Sequence, residues 1–438
     1  MIISFSVSNF RSIKETQTLS FQAAKSTHLE DYYITKIGKY RLSKIAYIYG
    51  ANASGKSNIL RAMAFLRELV VLPLSNKTEK LDYETFQFDP AYHNQDTEME
   101  IDFIENGTRY DYEVIFNHSY IVKEVLYQYA PGKRKVFERT TDVQKKLPII
   151  VFGDSVKKHK QEVSTLTANT LWNTTVISGF NRISMDVPQL QDVSVWFDKT
   201  LPPIWPNTKL SNTISLHLDK GTLNKDTLLH FFNQADFGIH DILLQKKEEV
   251  VSGSIIMALL NNDSVSEQVK QQISETGAIT HLDLNFEHWV NGVAYPLPFK
   301  EESQGTQRYY GLSGVLQLLI DENRILIMDE LETSIHPDLF QHFLLTYLIN
   351  AKQSQLIITT HNRELLNDQD LFRKDSVWIT DRHNPEQMTE LYNLQAFNSS
   401  VIRDTTNVLN AYKAGKLGGI PELGSTHYNP KDHEKESE

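Results

Sequence analysis

Apolar and polar positions alternate from the first residues. In MIISFSVSNFRS, polar residues separate Ile3, Phe5 and Val7, the period of a half-buried strand. A short hairpin follows, and Ile45 to Tyr49 reads as a strand that runs into a glycine-rich loop. Ile59, Leu60, Met63, Leu66, Leu69 and Val70 recur at helical spacing, which predicts a helix over 58–75. EMEIDFIENGTRYDYEVIF is two alternating runs around Asn106-Gly107, a tight hairpin signal, so 81–150 is expected to be β-rich. YIVKEVLYQYA adds another strand before the turn PGKRK at 131–135.

Residues 155–280 change character. KKHKQEVSTLTANTLWNTTVISGFN and TLLHFFNQADFGIHDILLQ carry helical stretches joined by polar, Lys/Glu-rich segments, which predicts a mainly helical insertion. Sustained heptads and internal repeats are both missing, so a long coiled coil is not expected. From 281 β character returns, RYYGLSGVLQLLI (308–320) predicts a helix, and RILIMDE and SQLIITTH are continuous apolar runs ending in polar residues. Such runs suit strands buried on both faces of a parallel sheet. The last stretch, STHYNPKDHEKESE, reads as a disordered tail.

Charge and composition narrow the function. The net charge of -11 weighs against nonspecific coating of nucleic acid, which rests on many Lys/Arg–phosphate contacts. Two small basic clusters, Lys133-Arg134-Lys135 and Lys157-Lys158-His159-Lys160, leave a local contact with nucleic acid or an acidic partner open beside a plain solvated loop. With no cysteine there is no disulfide, thiolate zinc site or cysteine nucleophile, which fits a reducing cytoplasm. The start has no basic region or unbroken apolar core, so it is not read as a signal peptide, and no apolar run is long enough to span a membrane.

The chemistry is concentrated in Gly50-Ala51-Asn52-Ala53-Ser54-Gly55-Lys56-Ser57, which fits G-x-x-x-x-G-K-[ST] between a predicted strand and a predicted helix. Its glycines let backbone N–H groups converge on phosphate oxygens, and the helix start adds its positive dipole end. Lys56 is expected to reach the β- and γ-phosphates of ATP and Ser57 to sit on Mg²⁺. A metal-holding carboxylate is expected at Asp329, after the apolar run RILIM, with Glu330 placed to polarise the attacking water. His361 ends the next strand, where ligands gather in a parallel sheet, and can approach the γ-phosphate. Ser303-Gln304-Gly305-Thr306 is a hydroxyl-rich loop opening a helix. It suits a second phosphate-facing helix start, serving the nucleotide of another subunit, or else a plain capping turn.

With these motifs in this order, the chain resembles the ATP-binding cassette ATPases of the SMC/RecF class, and within them the AAA-family ATPases of abortive-infection and other phage-defence operons, the PARIS type included. FSVSNFRSIKE is similar to the class's opening strand, with Arg11 at the place of an arginine that approaches the nucleotide. FQFDP places Gln87 as a Q-loop residue, a further ligand to ATP and metal; DELETSIHP (329–337) resembles a joined Walker B and D-loop. The resemblance implies an α/β fold: an ABC-type P-loop ATPase head with a β-rich subdomain over 1–154, the helical insertion over 155–280, the rest of the head over 281–423, and the tail over 424–438. It implies nucleotide contacts from Arg11, Gly50, Asn52, Ala53, Ser54, Gly55, Lys56, Ser57, Asn58 and Gln87, and catalysis by Glu330, His361 and Lys56. It also implies a metal held by Ser57, Asp329 and Gln87, and a signature of Ser303, Gly305 and Thr306 acting across a head-to-tail homodimer, with Glu332 to Pro337 crossing the interface.

The implied function is a Mg²⁺-dependent ATPase, a cytoplasmic sensor or scaffold in anti-phage defence. It would control a separately encoded nuclease or toxin on a DNA or phage-protein trigger, in dimers or larger rings built through the insertion. Two alternatives stand beside it: a RecF-like repair ATPase clamping DNA, and an assembly module that uses ATP as glue with negligible turnover.

Overall fold

The computed structural model describes residues 1–154, 156, 160–205, 209–250, 253–260, 270, 273–274, 278–397 and 408–421. The expected tail over 424–438 and the basic residues 157–159 lie outside them.

An antiparallel sheet runs in the order Leu147–Phe152, Lys133–Asp142, Ile121–Tyr129, Thr108–Phe116, Thr97–Glu105, Ile2–Ser8, Gln17–Ser20. The hairpin read at Asn106-Gly107 is there: Glu105 pairs with Thr108, and both turn residues have positive φ, 48° and 75°. That is the turn whose twist matches the flanking strands.

A second sheet runs in the order Ile325–Met328, Gln355–Thr359, Ile45–Gly50, Val377–Asp381, Glu390–Asn393, with the first four parallel and the last antiparallel. Its apolar runs are explained by two cores, one on each face. Ala46, Ile48, Ile325, Ile327 and Ile357 enter the core shared with the helix Lys56–Val71 and the antiparallel sheet. Tyr47, Tyr49, Leu326, Met328, Leu356 and Ile358 enter the core shared with the helices Gln304–Asp321 and Pro337–Asn350. The mixed α/β class expected from the sequence is the class found.

Helices do fill the first part of the insertion: Lys160–Asn169, Val176–Phe180, Pro188–Val195, Leu210–Asp219 and Lys225–Gln234. They do not stand off as a projection. Val176, Ile177, Val193 and Phe197 sit in the core under the antiparallel sheet, where Trp196 stacks on Phe103 at 3.8 Å. The helix Leu210–Asp219 presses on Gln304–Asp321 so closely that a Cβ at Gly311 or Gly314 would meet Leu210 at 2.7 Å or Ile214 at 2.4 Å. The segment FGIHDILLQ, read as helical, is instead strand. Asp236 and Gly238 turn the chain with positive φ, and Ile239–Val250 pairs with Ala278–Val290, which pairs with Val293–Pro298. The physical reason is the period of two in Ile242 and Leu244, which pack with their cross-strand partners Phe286 and Leu284. Among the described residues, no helix is long and apolar enough to cross a membrane.

Candidate functional site

The four parallel strands end at one edge of their sheet, and the chemistry collects there. The loop after Ile45–Gly50 depends on glycine at two positions. A Cβ on Gly50 would lie 2.3 Å from both Ser54 Oγ and Thr380 Oγ1; one on Gly55, whose φ is 101°, would lie 2.0 Å from Thr389 Oγ1. Ala53 also takes a left-handed φ of 63°. The loop therefore curls tightly, and Lys56 folds back across it, its Nζ donating to Gly50 O at 2.9 Å and Ala51 O at 3.0 Å. Burial lowers the Lys56 pKa, opposed by the charges of Asp329, Glu330 and Glu332.

Ser57, at the start of the following helix, donates from Oγ to Asp329 Oδ2 at 2.8 Å. Thr359, at the end of the adjacent strand, donates to Asp329 Oδ1 at 2.5 Å and accepts from the Glu330 N–H at 2.8 Å. One threonine thus orients both acids. Glu330 takes a left-handed φ of 49°, a conformation a non-glycine residue holds at a cost, and its Oε1 lies 3.7 Å from His361 Nε2. The His361 backbone N–H donates to Glu332 Oε1 at 2.6 Å. Burial, then the neighbouring Lys56, lowers the His361 pKa, opposed by Glu330 and Glu332.

Behind the loop, Ser12, Thr380 and Thr389 supply hydroxyls that the sequence reading missed. Thr380 Oγ1 lies 2.6 Å from Ser54 Oγ, and Thr389 donates to Ser54 O at 3.0 Å. Ser12 Oγ lies 2.7 Å from Thr389 Oγ1 and accepts from Asn58 Nδ2 at 2.6 Å. Arg382 donates to Ala53 O at 2.8 Å. From the far end of the chain, Gly419 lies flat against the loop: a Cβ there would be 3.3 Å from Gly50 Cα, and Tyr412 holds its carbonyl at 2.9 Å. The available signal was a hydroxyl residue ending an apolar strand, as in IIT and WIT.

Not every sequence-derived residue joins the cluster. Asn52 and Ala53 are exposed on the loop. Arg11 turns to Glu84, its backbone N–H donating to Glu84 O at 2.8 Å and its guanidinium 3.4 Å from the carboxylate. Gln87 donates its amide to Thr85 O at 2.9 Å, not to Ser57 or Asp329. Ser303 caps the helix Gln304–Asp321, accepting from the Thr306 N–H at 3.0 Å, with Thr306 Oγ1 at 2.8 Å. Gly305 differs from the loop glycines, because a Cβ there would meet only Ser303 Oγ at 3.6 Å and Ser334 O at 3.7 Å, ordinary contacts. Arg308 of the same helix is buried and donates to Leu331 O at 3.0 Å, in the segment just after the paired acids.

The donor set fits a small hard cation. Ser57 Oγ and an Asp329 carboxylate oxygen stand side by side, both oxygen ligands of the kind Mg²⁺ takes. The curled loop with its buried ammonium fits a polyphosphate.

A family model described as "AAA domain, putative AbiEii toxin, Type IV TA system" matches residues 45–367. Among solved structures, the SMC head domain from Thermotoga maritima is similar over 90% of this chain and 98% of that chain, at 11% identity and a TM-score of 0.41. The SmcHead bound to the C-winged helix domain of ScpA is similar over 89% of this chain and 97% of that one, at 13% identity and a TM-score of 0.39. No curated protein matches significantly. Its Gly50–Ser57 loop, its paired acids and its strand-end histidine all fall within the matched residues, and the chain belongs to this family of AAA-domain proteins.

Proposed function

We propose that the chain is an ATP hydrolase of the SMC-like cassette class, closing as a homodimer around two nucleotides. The observation that carries this reading is the linked set Ser57–Asp329–Thr359–Glu330, which sets a cation-holding pair beside a carboxylate at neighbouring strand ends. Lys56 would exchange the carbonyls of Gly50 and Ala51 for β- and γ-phosphate oxygens. Ser57 and Asp329 would hold Mg²⁺, which neutralises charge on those oxygens. Glu330 would align a water with the γ-phosphorus and take its proton as the bond to the β-phosphate oxygen breaks, giving ADP and phosphate. His361 would donate a hydrogen bond to the γ-phosphate.

The trans role of Ser303, Gly305 and Thr306 is supported by the freedom around Gly305. Among the described residues, a Cβ on Gly305 meets only ordinary contacts, which leaves room for a second copy to approach. The biological role we favour is a cytoplasmic defence ATPase governing a separate toxic effector, in keeping with a family described by a toxin and a toxin–antitoxin system. The decisive experiment is phosphate release together with sedimentation velocity on the wild type and Glu330→Gln. The reading requires turnover in the former, and an ATP-bound dimer without turnover in the latter. A wild type that releases no phosphate from Mg-ATP overturns it.

A further inference from the structure

Phe88 is 66% exposed, although phenylalanine is ordinarily covered. The guanidinium carbon of Arg382 lies 5.6 Å from the centroid of its ring, and the same guanidinium donates from Nη1 to Ala53 O of the Gly50–Ser57 loop at 2.8 Å. We infer that Phe88 and Arg382 form the platform for the base of the bound nucleotide, and that the platform takes a purine by its flat face. This inference rests on the reading of the loop as a nucleoside triphosphate site, and it extends that reading from the phosphates to the base.

The order of the parallel strands sets the direction. Ile325–Met328 and Gln355–Thr359, which lead into the paired acids and His361, lie on one side of the loop strand Ile45–Gly50. Val377–Asp381, which leads into Arg382, lies on the other. A triphosphate whose γ-end meets Glu330 and His361 therefore runs its sugar and base toward Arg382. The platform is also built before any nucleotide arrives. Arg382 Nε donates to Gln387 O at 2.8 Å, so two edges of the guanidinium are held and its plane is set. Phe86, which is buried, stands edge-on to Phe88 at 5.9 Å and 90°. Lys14 pins the two segments together, 3.1 Å from the Asp89 carboxylate beside Phe88 and 2.9 Å from that of Glu386 in the loop after Arg382. A preformed surface loses little freedom on binding.

The surroundings set the class of base. Asn384 spends both ends of its amide on Met388, donating to its carbonyl at 2.8 Å and accepting from its N–H at 3.0 Å. His383 Nδ1 lies 2.5 Å from Asp381 Oδ1. The loop after Arg382 thus turns these polar groups on itself instead of on the edge of a base. Recognition falls to stacking, which accepts any π-face and gains most from the broad face of a purine. Adenine and guanine differ at their edges and not in their face, so ATP and GTP are accepted alike.

Calorimetric titration of the full chain with Mg-ATP, Mg-GTP and Mg-tripolyphosphate tests the inference, tripolyphosphate being the probe without a base. The wild type is expected to bind ATP at least ~10-fold tighter than tripolyphosphate, and GTP within ~3-fold of ATP. Phe88→Ala is expected to lose at least ~10-fold in ATP affinity while tripolyphosphate affinity and circular dichroism stay unchanged. Phe88→Leu keeps apolar bulk without a flat ring and is expected to remain weak, whereas Phe88→Trp is expected to bind ATP at least as tightly as the wild type. A Phe88→Ala chain with wild-type ATP affinity, an equal loss for tripolyphosphate, or GTP weaker than ATP by ~10-fold or more overturns the platform. Phosphate release from Mg-ATP by the wild type judges the hydrolase reading separately, and that reading stands if the platform alone fails. A wild type that binds no ATP overturns both.

Discussion

Ser57 Oγ and Asp329 Oδ2 share a hydrogen bond of 2.8 Å although 272 residues separate them in the chain. The contact joins the loop to the paired acids and ties the first quarter of the protein to the last. The far oxygen of the same carboxylate is taken by Thr359, which also holds the Glu330 backbone. A change at any of these four residues is felt at the others.

Glu330→Gln keeps the backbone link to Thr359 and removes the base. Turnover is expected to fall by about 10²-fold or more while ATP affinity is kept. Steady-state phosphate release and calorimetric ATP titration check the two halves separately.

Thr359→Val should act without touching substrate. It removes the hydroxyl that orients both acids and deletes its hydrogen bond to Asp329 Oδ1, at a cost of about 1–3 kcal/mol in stability. Turnover should fall while the shape of its pH profile stays. Thr359→Ser, which retains the hydroxyl, should recover most of the activity.

Gly55→Ala meets Thr389 at 2.0 Å and a left-handed backbone. The strain alone costs of order 1–3 kcal/mol, and the clash adds to it. Urea denaturation should show the loss. Thr389→Ala in the same chain should recover the clash but not the strain, so the double variant is expected between the two.

Gly305→Arg is the opposite case. The site has room, so the melting temperature should barely move. Nucleotide-driven pairing should vanish, because the bulk projects where a second copy would approach. Sedimentation with Mg-ATP in the Glu330→Gln background reads this directly.

Glu124 carries a pH prediction. The carboxyl is fully buried, accepts from Tyr112 at 2.9 Å and from the Val176 N–H at 2.7 Å, and burial raises its pKa from 4.5 to about 7, opposed by Arg139. Folding therefore takes up a proton at pH values between those two. The contribution is complete at low pH and is lost as pH rises through about 7. Thermal melts of the wild type should show this decline, and Glu124→Gln should flatten it.

Much of this was legible in the residues. Gly50 to Ser57 declares itself because a phosphate cradle needs glycines, a lysine and a hydroxyl at fixed spacing. The buried strands declare themselves by unbroken apolar runs. The hydroxyls of Ser12, Thr359, Thr380 and Thr389 did not, since a threonine at a strand end reads like any other until the fold brings its partner near. Ile239–Val250 was misread because a preceding amphipathic helix, Lys225–Gln234, dominated the window and hid the change of period at Gly238. Arg11 and Gln87 came from a resemblance in phrase, and the structure ties them to Glu84 and Thr85.

The strand that carries the cradle lies between Gln355–Thr359 and Val377–Asp381, both from the last quarter of the chain. On the ribosome, Ile45–Gly50 emerges well before either neighbour and waits for both. Until those strands arrive it has no partner in its sheet, and the loop has neither Thr380 nor Thr389 behind it. The cradle is thus completed only after Thr380 and Thr389 have been made, and a product cut before them would lack its backing hydroxyls.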